Sequence, residues 1–234
     1  MERNLTFTEH LEELRTRVIV SLVALGLASL ACMPLAPRIL KILKEPAGSA
    51  IGKLAYFSPQ DAFLIYMRIG FLCGIIIAFP IIAYQFWRFV SPAVDDKFKR
   101  YVTHFVIFSS AAFAGGCVFA YFVLLPKALH FLMSFGTDDL EPVISAGRYI
   151  SFVTMLIAAC GLIFEMPVLS FILTKIGLVN HRLLRRNFKY AVVILAIVAA
   201  AITPTVDAFN MLVIMVPMIA LYEVSIWVSF IVRR

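Results

Sequence analysis

The sequence predicts an all-α integral membrane protein with six transmembrane helices and both termini in the cytoplasm. Three observations carry this. Hydrophobic residues make up 62% of the 234 and charged residues 15%, and the mean hydropathy is +0.94. A soluble domain is nearer half apolar and about a quarter charged. The apolar residues also fall into runs of membrane length, since crossing ~30 Å of hydrocarbon takes ~20 helical residues. Finally, lysine and arginine concentrate in alternate connections, as orientation in a bilayer requires.

The runs lie at about 18–36, 62–84, 101–125, 150–174, 190–203 and 208–231. The fifth has 14 residues, ~21 Å of helix. It reads as half of a helical hairpin with the sixth, across Thr203-Pro204-Thr205-Val206-Asp207, which predicts short fifth and sixth helices. With the N-terminus inside, the cytoplasmic segments (before the first run, 85–100, 175–189 and the C-terminus) hold 14 lysines and arginines. The outer segments 37–60 and 126–149 hold six. The chain is one integral membrane domain, 1–234, too short for a bundle plus a separate catalytic domain. The net charge of +7 reports orientation rather than nucleic-acid binding. Cys32, Cys73, Cys117 and Cys160 all lie in apolar runs without CxxC spacing and read as packing residues. With four scattered histidines they assemble no metal site, and no cofactor is expected. Residues 1–17 carry four acids and three arginines, unlike the basic start of a secretory signal. Ser29, three before Cys32, stands where a lipobox wants an aliphatic residue.

Thr6-Phe7-Thr8-Glu9 is a capping box that starts a cytoplasmic helix over 6–17. Leu11, Leu14 and Val18 share one face, and Glu9 and Glu13 another. Glu9 can be a cap alone, and Glu13 can pair with Arg17 in the favourable i,i+4 order. Alternatively, Glu9, Glu12 and Glu13, beside Arg15 and Arg17, form an acidic collar that captures a cationic peptide at the membrane surface. Pro37 to Pro46 is amphipathic and expected at the outer interface. Ser58-Pro59-Gln60-Asp61 punctuates the chain before the second run. Arg68 lies ~9 Å into that helix, placed to snorkel or to pair with an acid. The loop after it begins at Tyr84, with Tyr84, Phe86 and Trp87 as an interfacial aromatic belt. Asp95 and Asp96 follow, as a solvated turn or as further negative charge on the side of Glu13.

In the third run Gly115-Gly116 suits close helix packing. The loop 126–148, with Asp138, Asp139, Glu141 and Pro142, reads as a partly helical outer cap. Phe164-Glu165-Met166-Pro167 puts a carboxylate ~22 Å from one end of the fourth helix and ~15 Å from the other. There it costs several kcal/mol unless protonated or paired, and Pro167 removes a backbone bond beside it. Glu223 lies at comparable depth in the sixth run and is expected to meet a polar group in the bundle.

These motifs in this order resemble the twin-arginine protein translocase subunit TatC family over the whole chain. The residues are His10-Leu11-Glu12-Glu13-Leu14-Arg15-Thr16-Arg17, Lys44-Glu45-Pro46, Ser58-Pro59, and Tyr84-Gln85-Phe86-Trp87 with Ser91-Pro92-Ala93. Phe119-Ala120-Tyr121-Phe122, Phe164-Glu165-Met166-Pro167 and Leu221-Tyr222-Glu223 complete the set. The resemblance implies a signal-peptide receptor, in the bacterial inner membrane or the thylakoid, and the lack of a transit peptide favours the inner membrane. As core subunit of the translocase it would export folded proteins on the proton gradient. Glu13 would meet the arginine pair, and Glu165 would contact the single-span TatA- and TatB-type partners. Pro46 would shape the outer rim, and the chain would form homo-oligomers within a larger complex. Two positions depart from the family: its loop glutamate, six residues after Pro92, is Phe98 here, and its aspartate after the fifth helix's Thr-Pro falls one residue late, at Asp207. A proton-coupled secondary transporter using Glu165 as relay is the alternative, although no repeated halves are visible. An enzyme is not expected, because no HExxH, GxSxG or paired intramembrane aspartates occur.

Overall fold

A computed structural model describes residues 7–50, 54–90, 102–134, 143–202 and 208–232; the side chains of 7–10, 49–50 and 208–210 fall outside that description. The described chain is helical apart from one parallel bridge, Ala55 to Ser145. Five helical stretches are long and apolar enough to cross a membrane: Leu11–Gly48, Asp61–Val90, Val102–Met133, Ala146–Lys175 and Met211–Val232. Phe188–Ile202 is apolar but shorter, at 15 residues.

Helix α1, Phe7–Cys32, runs unbroken from the charged N-terminal stretch through the first apolar run. It packs chiefly on α3, Asp61–Val90. Its faces are arranged inside out relative to a soluble helix. Leu11, Leu14 and Val18 are exposed, while Glu13 and Arg17 are half-buried towards α3. In hydrocarbon, the face that gains from contact with the protein is the one carrying polar or small residues. Higher up, Gly70 and Gly74 of α3 let the backbone of Ser29 come in. A Cβ at Gly74 would stand 2.7 Å from Ser29 Cα.

Helix α2, Ala36–Lys44, follows a 3-10 turn and ends under two tyrosines. Tyr121 donates to Ile42 O and Tyr149 to Leu43 O, both at 2.7 Å. Ile42 O also accepts from Glu45 N–H, and the tyrosines add donors where the last carbonyls of a helix lack intrahelical partners. The third apolar run begins as α4, Val102–Phe119, passes through a π-turn at Ala120–Leu124, and continues as α5, Leu125–Met133. The fourth is divided: α6 is Ala146–Ile163 and α7 is Met166–Lys175, separated by Phe164 and Glu165. Pro167 lies in the first turn of α7, where its missing N–H and its ring forbid a continuous ladder. Helix α8 is His181–Arg186, α9 is Phe188–Ile202, and α10 is Ala208–Val232.

The central packing unites α3, α4 and α6, with α1 added on α3. Phe113 of α4 stacks on Phe79 of α3 with centroids 3.8 Å apart. Its ring lies over Gly161 of α6, where a Cβ would stand 2.6 Å away. On the other side α10 packs on α7 and α9. The α7–α10 seam is polar: Ser170 Oγ donates to Ser225 O at 2.9 Å, and Thr174 Oγ1 to Ser229 Oγ at 2.8 Å.

Four sequence expectations change. The second helix does not end at Tyr84 but runs to Val90, because Gln85, Trp87 and Arg88 continue its contacts. Trp87 is 5% exposed rather than part of an outward belt; its ring sits near Phe105 of α4. Phe86 is exposed. Of the two roles expected for Arg68, pairing with an acid is not seen among the described residues; the side chain is exposed and donates to Gly147 O, 3.0 Å away. The fifth helix is short, yet the sixth has 25 residues. It stays long because its C-terminal end runs beside α8. There Tyr222 OH donates to Leu184 O at 2.9 Å, and the His181 ring meets Phe230 edge-on.

Adjacent glycines of α4 separate packing from mere tolerance. A Cβ at Gly116 would stand 2.6 Å from Cys160 O, whereas one at Gly115 would meet nothing within 4 Å. Gly116→Val should therefore destabilise the purified protein by about 1–3 kcal/mol in thermal unfolding in detergent, and Gly115→Val should leave the transition in place.

Candidate functional site

Two carboxylates on different helices are the candidates for function. The first lies at the N-terminal end of α1, before its apolar run. One turn of helix brings Glu13 to Arg17, whose Nε donates to Glu13 Oε1 at 3.1 Å; its Nη2 donates to the same oxygen. Arg17 Nη1 reaches across to Gln85 Oε1 of α3 at 3.5 Å. Arg88, one turn further along α3, donates to Tyr84 OH at 3.2 Å. Together with Glu12 and Thr16, these residues line an open hollow of about 450 Å³. The Glu13 side chain is 25% exposed and that of Arg17 15%, so the pair is partly shielded but reachable.

Such a hollow can hold guanidinium groups. A carboxylate accepts two parallel charge-assisted bonds from an arginine fork, and an ammonium cannot reproduce that geometry. Among the named candidates, Glu13 and Arg17 come together here. Arg15 is exposed on the same helix and makes no ion pair among the described residues. The side chain of Glu9, and Pro92, Asp95, Asp96, Phe98 and Asp207, lie outside the described residues. Gln85 and Arg88 had no role assigned from sequence. Their spacing of three after an apolar helix was the available signal, because it keeps both on one side of a longer helix.

The second carboxylate is Glu165, 7% exposed at the break between α6 and α7. Ser109 of α4 donates to its Oε2 at 2.5 Å. Its Oε1 is buried and has no hydrogen-bond partner among the described residues, and neither has Ser110 Oγ. Broken helix and buried acid go together, since the turn at Phe164–Glu165 frees backbone groups that only a protein interior tolerates. A half-satisfied carboxylate at this position can accept one further donor.

Glu223 has a partner inside the chain. Arg185 Nη1 of α8 donates to both of its oxygens, at 2.7 and 2.8 Å. Arg185 is 65% exposed, so the pair sits at the rim rather than deep in the bundle. Pro46 lines an open hollow of about 460 Å³ with Ala47, Gly48, Pro126, Leu129, His130, Met133 and Ser134, far along the fold from Glu13.

The family profile for Sec-independent protein translocase protein (TatC) matches residues 9–217. The Sec-independent protein translocase protein TatC of Carboxydothermus hydrogenoformans is 36% identical over 228 residues, covering 97% of this chain and 94% of its own. That of Aquifex aeolicus is 38% identical over 231 residues, covering 97% and 95%. A crystal structure of a twin-arginine translocase receptor, TatC, superposes with a TM-score of 0.88 at 36% identity, over 97% of this chain and 100% of the other.

Removing the Ser109 hydroxyl strips Glu165 of its donor, so Ser109→Ala should lower stability by about 1–3 kcal/mol. The double substitution Ser109→Ala/Glu165→Leu should be less damaging than Ser109→Ala alone, because it removes the carboxylate that the single substitution leaves without its side-chain donor. Thermal unfolding of the three proteins in one detergent checks the order.

Proposed function

The chain belongs to the TatC family and is a core subunit of a twin-arginine translocase; from that premise we propose that it is the receptor for twin-arginine signal peptides, with Glu13 the acceptor of the arginine pair. The observation that carries this reading is the hollow of Glu12, Glu13, Thr16, Arg17, Gln85 and Arg88. It puts a reachable carboxylate beside apolar helices α1 and α3. A signal peptide has the matching order, two guanidinium groups followed by an apolar stretch. Glu9, Arg15, Asp95 and Asp96 belong to the same acidic and basic mouth in this proposal. The aspartates take the place of the family's loop glutamate, whose position is Phe98.

The hollow faces the cytoplasm, with both termini on that side and Phe188–Ile202 counted as the fifth of six crossings. The distribution of lysine and arginine supports that orientation, and a cytoplasmic hollow meets newly made precursors. The membrane is the bacterial inner membrane, whose proton gradient drives export. Pro46 and the outer hollow form the external rim. TatA- and TatB-type single-span subunits dock near Glu165, where Oε1, without a partner among the described residues, supplies an acceptor for a polar group on an incoming helix. Several copies of the chain join them in the working complex. The relatives are translocase components rather than members of a catalytic family, and the proton-coupled transporter alternative is not favoured.

Photocrosslinking in membranes tests the assignment, using a twin-arginine signal peptide and its twin-lysine counterpart. Crosslinks at 9–17 and 93–100 should form with the arginine peptide and fall by at least about tenfold with lysine, the equivalent of one lost charge-assisted bond. Glu13→Ala should abolish the arginine signal while the protein stays folded. Equal labelling by both peptides, or unchanged labelling of Glu13→Ala, would overturn it.

A further inference from the structure

The resting hollow already contains an arginine. Nε and Nη2 of Arg17 converge on Glu13 Oε1, which is the fork that an incoming guanidinium would present. The third nitrogen, Nη1, is directed at Gln85 Oε1 of α3 from 3.5 Å, at the outer limit of a hydrogen bond. The Arg17 side chain is only 15% exposed, so it cannot leave Glu13 for water without giving up its packing between α1 and α3. Gln85 is the neutral acceptor within reach, and it lines the same hollow.

We propose that Arg17 is an internal stand-in for the incoming arginine, and that peptide capture is an exchange in which Arg17 passes from Glu13 Oε1 to Gln85. The proposal rests on the reading of Glu13 as the acceptor of the peptide. It assigns Gln85 a positioning role that the family resemblance did not give it. In the exchange no carboxylate is left bare at any point. Glu13 trades one guanidinium for another, while Arg17 shortens a bond it already points along. Charge near the hollow is also held in check before binding, which matters where hydrocarbon begins.

The exchange has a particular energetic signature. A competitor that excludes every ligand equally weakens arginine and lysine peptides by the same factor. Arg17 therefore sets how tightly the site holds and how readily it releases, while the preference for arginine over lysine stays with the fork geometry at Glu13. The i,i+4 pair is of the class whose loss shifts an equilibrium by roughly two- to fivefold. A receptor that must let its cargo go gains from such a built-in competitor.

The test is equilibrium binding of a fluorescent twin-arginine peptide, and of its twin-lysine form, to the full chain in nanodiscs. Arg17→Gln should tighten both peptides by about two- to fivefold without changing their ratio, and Arg17→Lys should give a smaller gain. Gln85→Leu should weaken binding when Arg17 is present and have no effect in the Arg17→Gln background. A general charge effect would also tighten Arg17→Gln, but it leaves neutral Gln85 without influence in either background, and that result overturns the exchange. So does weaker binding by Arg17→Gln in protein whose unfolding transition is intact. If Glu13→Gln binds like the unmodified chain, the capture reading itself fails. If Glu13→Gln loses binding while Arg17→Gln and Gln85→Leu behave independently, capture stands and only the exchange is wrong.

Discussion

A carboxylate placed among apolar helices must find a donor, and that requirement arranges this chain. Glu13 has Arg17, Glu165 has Ser109, and Glu223 has Arg185. The three pairs differ in completeness. Glu223 is held through both oxygens by one guanidinium nitrogen, and it ties α10 to α8. Glu165 is held through one oxygen, with the other buried and unpartnered among the described residues. Glu13 is held by a cation that has a second acceptor in view. The first arrangement is structural. Glu165 differs from both in keeping a buried oxygen that could take an added donor, because an acid left short of a bond in an apolar setting gains most from one.

Packing gives those carboxylates their positions. Gly74 admits the Ser29 backbone, Gly116 and Gly161 admit their neighbours across α4 and α6, and Ser170 and Thr174 bond across to α10. Small residues at close seams are what lipid solvent favours, since apolar surface gains nothing by leaving it. The consequence for α1 is decisive. Its leucines face outward and its Glu13–Arg17 stripe faces α3, so the charged turn lies against Gln85 and Arg88 instead of standing in water. The hollow beside Glu13 is thus a by-product of ordinary membrane-helix packing.

Much of this was legible in the sequence, and the misses have physical causes. Among the described residues, five of the six apolar runs appear as helices long enough to cross a membrane and the fifth run as a shorter one, in the order the run lengths give. The Glu13–Arg17 spacing and the interruption at Glu165-Met166-Pro167 follow from local chemistry. Trp87 was misread because aromatic residues after an apolar run serve equally as interface anchors or as core. Only the neighbouring Phe105 of α4, distant in sequence, decides between them. Ser109 was invisible for the same reason: a serine in an apolar run gives no sign of the acid 56 residues later that it bonds. The sixth run, 208–231, matches the helix to within one residue, and only its description as short was wrong; what the sequence hid was its packing on α8, which is basic and looks like a loop. It nonetheless runs beside the end of α10 through Arg185, Leu184 and His181. Residues 91–101, where the second acidic contact was expected, lie outside the described structure, so the mouth is defined from its α1 and α3 sides.

The central claim is that a signal-peptide guanidinium rests on the Glu13 carboxylate. Dipolar recoupling by solid-state NMR measures that contact directly, with guanidinium nitrogens of the peptide's arginine pair labelled with ¹⁵N and the glutamate carboxylates of the chain with ¹³C. The account predicts a nitrogen–carboxylate separation within ~4 Å that vanishes in Glu13→Gln. No recoupling in the bound complex, or a contact that survives Glu13→Gln unchanged, would contradict it.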